Sequence, residues 1–124
     1  MSTAPTVLLG ANQIFRAVVR SETTDTATTV TPDDSGTLFV NLGTSTHTYT
    51  LPAVADGAGK IFTFFNGDGT ATMAVASTAA NFKVDDLTGT TCTSTTTAIG
   101  DCIIVIGDGT YYYGLAVYGS YTNA

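Results

Sequence analysis

The sequence predicts an all-β protein, an antiparallel β-sandwich or jelly-roll-like barrel with an extended N-terminal arm. Three observations carry that expectation. Of 124 residues, 44% are hydrophobic and only 11% charged, against about 25% charged in an ordinary soluble domain. Roughly one residue in five is threonine and glycine is abundant; threonine suits a pleated, half-solvated surface and glycine suits turns, while neither favours helix. Short β-branched and aromatic runs also follow one another at close intervals, separated by turn chemistry.

The elements follow in chain order. Residues 1–25 read as an arm and linker, with apolar Val7, Leu8 and Leu9, then Gln13–Arg20 as the nearest approach to a helical period. Ile14, Phe15, Val18 and Val19 are poor helix formers, so no helix is expected there. The β body spans 26–124. Thr26–Thr31 is a strand, ended by the breaker Pro32-Asp33-Asp34-Ser35-Gly36. Thr37–Leu42 alternates, with Leu38, Val40 and Leu42 on one side. His47–Leu51 sets Tyr49 and Leu51 against Thr48 and Thr50, and Pro52 closes it. Lys60–Asn66, Thr72–Ala76 (Met73 and Val75 on one face), Asn81–Asp85 (Phe82 and Val84 on one face) and Thr90–Ile99 continue the series. About nine to eleven short strands separated by turns are the pattern of a sandwich or jelly roll.

The last element is the most explicit. Cys102–Tyr118 reads CIIVIGDGTYYYGLAVY, with Asp108-Gly109 expected as a two-residue hairpin turn. Its flanks are almost continuously apolar, whereas a strand with one wet face alternates. Both faces of the hairpin therefore need cover, one from the core and one from a longer connection or another chain. Gly-Asp-Gly-Thr occurs twice, at Gly67–Thr70 and Gly107–Thr110. The flanks match only in hydrophobic character, so one turn chosen twice is favoured over an internal duplication.

Charge and composition exclude several functions. The formal net charge is −6 with four Lys and Arg in all, too few basic groups for a nucleic-acid groove or an anionic membrane surface. No apolar run nears the ~20 residues of a membrane helix, and the first residues lack the basic and apolar regions of a signal peptide. The expectation is synthesis in the cytoplasm, with use there or carriage out of the cell as part of a particle. Cys92 and Cys102 either close a short loop worth about 2.5–3 kcal/mol or pack as reduced thiols.

Constellations for chemistry are weak. The single histidine, His47, lies in a Thr-rich strand as an expected solvent-facing residue, and no serine has a local base, so no enzyme is expected. Asp33-Asp34, Asp68, Asp85-Asp86 and Asp108 sit mostly where turns need them, with no calcium-loop spacing, and two Cys with one His make zinc less favoured still. Gly-Asp-Gly-Thr lacks the lysine of a phosphate loop. No cofactor or metal is expected. The C-terminal tyrosines divide between filling the core and covering the sheet: Ile104, Ile106, Tyr111, Tyr113 and Tyr118 are the candidate oligomer interface, and a glycan platform is the lesser alternative. Val7, Leu8, Leu9, Ile14, Phe15, Arg16 and Arg20 are the candidate partner interface of the arm, its two arginines contrasting with the acidic body.

The run Thr29-Val30-Thr31-Pro32-Asp33-Asp34-Ser35-Gly36-Thr37-Leu38-Phe39, followed by Thr48-Tyr49-Thr50-Leu51-Pro52 and by the ending Gly100-Asp101-Cys102 through Tyr113, resembles the small β modules of tailed-bacteriophage virion proteins. These include capsid decoration (cement) proteins and tail-fibre or head-spike modules. The resemblance spans roughly Ala27–Tyr118. It implies a homotrimer and a structural role on the outer capsid surface, with the major capsid protein as partner. A receptor-binding module contacting host glycan is the alternative. No functional residue carries over, because packing rather than a catalytic motif defines such modules.

Overall fold

The computed structural model describes residues 18–84 and 87–124. The described chain is all-β, built as two mixed sheets whose inner faces share one core. Its first six strands are β1 (Val18–Glu22), β2 (Ala27–Thr29), β3 (Thr37–Asn41), β4 (His47–Thr50), β5 (Ile61–Asn66) and β6 (Met73–Ala76). Consecutive strands lie in opposite sheets. β1, β3 and β5 pair in parallel in a seven-stranded sheet, and β2, β4 and β6 pair in parallel in a five-stranded one. The chain therefore winds three times around its core before reversing.

The later strands close the coil. They are β7 (Phe82–Val84), β8 (Leu87–Gly89), β9 (Thr91–Ser94), β10 (Cys102–Gly107), β11 (Tyr112–Tyr118) and β12 (Tyr121–Asn123). The large sheet has the order β1-β3-β5-β10-β11-β7-β8, and the small one β12-β9-β6-β4-β2. β10 is antiparallel to both β5 and β11, while β11 and β7 are parallel. This corrects the antiparallel expectation. Period-two patterning reports that a strand exists and which of its faces is buried; it carries no information on the direction of the neighbouring strand.

The core is aromatic. Phe39 stacks on Phe64 at 5.3 Å, and Tyr49 of the opposite sheet tilts onto both, at 5.5 and 5.0 Å. Phe62, Phe82, Ile103, Val105 and Tyr112 extend the large sheet's contribution; Leu51, Met73, Val75, Cys92 and Tyr121 extend the small sheet's. On β3 the inward residues are Thr37, Phe39 and Asn41, so the side bearing Leu38 and Val40 turns away from the core.

His47 corrects a second expectation. It is 0% exposed and lies 4.3 Å from the Tyr49 ring, centroid to centroid. Its Nδ1 is 2.8 Å from the Asp25 carbonyl and its Nε2 is 2.7 Å from Thr28 Oγ1. A carbonyl only accepts, so Nδ1–H donates to it and Nε2 accepts from the Thr28 hydroxyl. The ring pins edge strand β2 to β4. A single polar residue in an alternating Thr-rich run reads as outward because its buried partners come from twenty residues upstream.

Candidate interaction surface

The surface is built from hairpin β10–β11 upward. Its turn is shifted by one residue from the expected position. The Asp108 amide donates to the Tyr111 carbonyl at 3.0 Å, so Gly109 and Thr110 form the two-residue centre, with Gly109 at φ +92°. Asp108 serves as a side-chain cap: its Oδ1 accepts from the amides of Thr110 (2.8 Å) and Tyr111 (2.7 Å), and its Oδ2 from the Tyr113 hydroxyl at 2.6 Å. These bonds, the Tyr113 hydroxyl foremost, hold the carboxyl below its usual range, and the same contact raises the Tyr113 phenol. The other Gly-Asp-Gly-Thr copy uses the same device. Asp68 Oδ1 accepts from the Thr70 hydroxyl and from its amide, which lowers the Asp68 carboxyl likewise. There, however, the turn leads from one sheet to the other. Identical local chemistry thus serves two different connections.

The hairpin's two sides are both apolar, for different reasons. Ile103, Val105 and Tyr112 point into the core and are fully buried. The Tyr112 hydroxyl donates to the Pro52 carbonyl at 2.7 Å, and desolvation pushes its phenol up to about 12. Cys102, Ile104 and Ile106 point outward, opposite Tyr118, Leu115 and Tyr113 on β11 and Phe65, Thr63 and Ile61 on β5. Register extends these into three rows across the large sheet: Ile61, Ile106, Tyr113 and Lys83; Val19, Leu38, Thr63, Ile104 and Leu115; Ser21, Val40, Phe65, Cys102 and Tyr118. Leu115 is 54% exposed and Tyr118 62%. Among these outward residues Lys83 alone is charged, and its ammonium sits 4.3 Å from the Tyr111 ring centroid. The opposite outer face, on the small sheet, is chemically distinct. Its outward rows are Ala27, Thr48, Ala74, Thr93 and Thr122, then Thr29, Thr50, Ala76 and Thr91.

The expected oligomer residues fall together. Ile104, Ile106, Tyr113 and Tyr118 share the large sheet's outer face, and the Tyr111 ring adjoins Tyr113 at 6.4 Å. Val19, Leu38, Val40, Ile61, Phe65 and Leu115 join them; the sequence sets Leu38 and Val40 together on one side of a strand, but none of the six stood among the interface candidates. Their signal was present as the outward half of each period-two strand, but attention to buried positions passes over it. Tyr112 and Tyr121 are buried, so they offer no glycan platform.

Of the arm's candidates, Val7, Leu8, Leu9, Ile14, Phe15 and Arg16 lie outside the described residues. Arg20 lies in β1, within the large sheet. Its Nη1 is 3.3 Å from Asp34 Oδ1, and its guanidinium lies 5.2 Å from the Phe39 ring centroid. Cys92 faces the core and Cys102 faces outward, and no disulfide joins them. Among the described residues no three His, Cys, Asp or Glu side chains come together as a metal site. No ligand-sized pocket opens among them either, so the arrangement offers surfaces rather than an enclosed site. No known protein family matches the chain, and no curated protein is significantly similar to it.

Proposed function

We propose that this chain is a viral structural protein, a capsid decoration (cement) protein that binds the outer surface of a phage head and stabilises the shell. The carrying observation is the large sheet's outer face, a contiguous surface of aliphatic and aromatic side chains of the kind that marks an interaction site. The charge-poor, threonine-rich composition and the virion-protein resemblance of Ala27–Tyr118 support the same reading. The body belongs in this proposal to a sandwich with jelly-roll-like closure and forms a homotrimer on the virion. Val7, Leu8, Leu9, Ile14, Phe15 and Arg16 form an extended arm along the major capsid protein. Binding across neighbouring shell subunits favours the assembled lattice by mass action.

Co-sedimentation of the purified full chain with undecorated shells tests this reading. Binding is expected, together with a higher temperature for shell opening. Leu8→Asp with Ile14→Asp should abolish binding while leaving the thermal unfolding of the free chain unchanged. Failure of the unmodified chain to bind any shell, or undiminished binding by the arm variant, rejects the respective part. The tail-fibre or receptor-binding alternative now rests on Tyr113 and Tyr118, the exposed rings. Glycan binding lost on Tyr118→Ala would favour it.

A further inference from the structure

We propose that the whole outer face of the seven-stranded sheet, from Val19 on β1 to Leu115 and Tyr118 on β11, is buried against the same face of other copies of this chain. This deepens the self-association in the preceding proposal by naming the surface and its occupant, and it stands whether or not shells are bound.

Charge selects the occupant. The chain carries −6, so two copies meeting through most surfaces bring carboxylates together, which opposes association. The outward rows contain no Asp or Glu and, at their margin, one lysine. Copies that meet here bring no carboxylate of these rows into contact; Asp108, whose Oδ2 accepts from the Tyr113 hydroxyl, lies at the margin. An acidic partner would find only Lys83 among these rows to pair with, and a basic one no carboxylate.

Area sets the scale. The five strands that carry the apolar rows, β1 to β11, span four spacings of ~4.8 Å, and about five residues of ~3.3 Å rise give a face near ~19 by ~17 Å. That is about 320 Å² in flat projection, to which the relief of interleaved side chains adds on burial, against the ~400 Å² per partner of adventitious contacts and the ~800 Å² typical of a specific interface. Two such sheets pack at ~10 Å with their side chains interleaved. Cys102 lies in the third row, between Phe65 and Tyr118, so its half-exposed thiol reports whether the face is covered.

The test uses the full chain. Native mass and sedimentation are measured over a concentration series, with the rate of Cys102 alkylation by a maleimide read alongside. The expected result is an oligomer in which Cys102 is protected, with protection falling as dilution releases single chains. Ile104→Asp and Leu115→Asp place carboxylates at the centre of the face and should weaken association by about tenfold or more, as a buried like-charge contact does, with unchanged circular dichroism. Thr93→Asp on the opposite face should leave association intact.

A chain that stays single at high concentration with Cys102 freely alkylated overturns the proposal. Cys102 protected equally in the single chain assigns the cover to the chain's own residues and overturns it too, as does assembly undisturbed by both face variants. A dimer would support the face while rejecting the trimer of the proposed function. Loss of shell binding with assembly intact would reject the shell partner and leave the face standing.

Discussion

Asp108 holds the hairpin turn through three accepted hydrogen bonds, and its carboxyl is held below the usual range because those bonds favour the charged form. A lowered folded value means that the stabilisation is complete above the ordinary carboxylate pKa of about 4 and is lost as pH falls through the folded value. Acid titration of stability should therefore show a loss below pH ~4 that Asp108→Asn flattens, measured by urea denaturation at each pH. Tyr112 runs the opposite way. Its phenol is raised to about 12, so its contribution is complete below pH ~10 and disappears as pH rises through the folded value. Tyr112→Phe should cost about 1 kcal/mol at neutral pH, by loss of the bond to Pro52, and should make the alkaline limb shallower. Thr28→Val strips buried His47 Nε2 of its donor and should cost about 1–3 kcal/mol by chemical denaturation. His47 was visible in the sequence as the only histidine, but its burial was not, since the groups that satisfy it come from Asp25 and Thr28.

Element by element, local chemistry explains more. The turns at Asp68 and Asp108 were legible as turns, the second with its centre placed one residue early, because a side-chain carboxylate that accepts from the amide two residues on is a property of the tetrapeptide alone. The alternation of Tyr49 with Thr48 and Thr50 was legible for the same local reason. β8 and β12 were not, because Leu87-Thr88-Gly89 and Tyr121-Thr122-Asn123 carry no apolar pair two residues apart, unlike Phe82 and Val84 of the equally short β7. Hairpin β10–β11 has a constraint that its sequence hides. A methyl group at Gly114 would fall 2.7 Å from Val84 Cγ2, 2.9 Å from Phe82 Cε1 and 3.0 Å from Ile103 Cδ1, so β11 lies closely against β7 and the core at that point. Gly114→Ala should cost about 1–3 kcal/mol through overpacking, read as a shift in denaturation midpoint. At Gly107 the added carbon would meet the Gly57 carbonyl, a backbone group that cannot swing aside, and Gly107→Ala should cost more.

Across the whole molecule, neighbouring phenylalanines on β5 separate the two kinds of apolar surface. Phe64 is fully buried between the sheets, and Phe64→Ala should cost about 3–5 kcal/mol in a single chain. Phe65 faces outward in the register row of Cys102 and Tyr118; Phe65→Ala should cost less than ~1 kcal/mol in dilute single chains. Denaturation of both variants at low concentration checks the contrast. Residues within a few positions of one another suffice to make the chain all-β, to place most strands and turns, and to leave hairpin 102–118 apolar on both sides. Long-range pairing alone sets the parallel winding of the first six strands between two sheets, turns Phe39 rather than Leu38 inward, and brings five further apolar residues, Val19, Leu38, Val40, Ile61 and Phe65, onto the hairpin's outer face. Those outcomes depend on which distant strand lies alongside and in what register, and a period of two is the same for every choice.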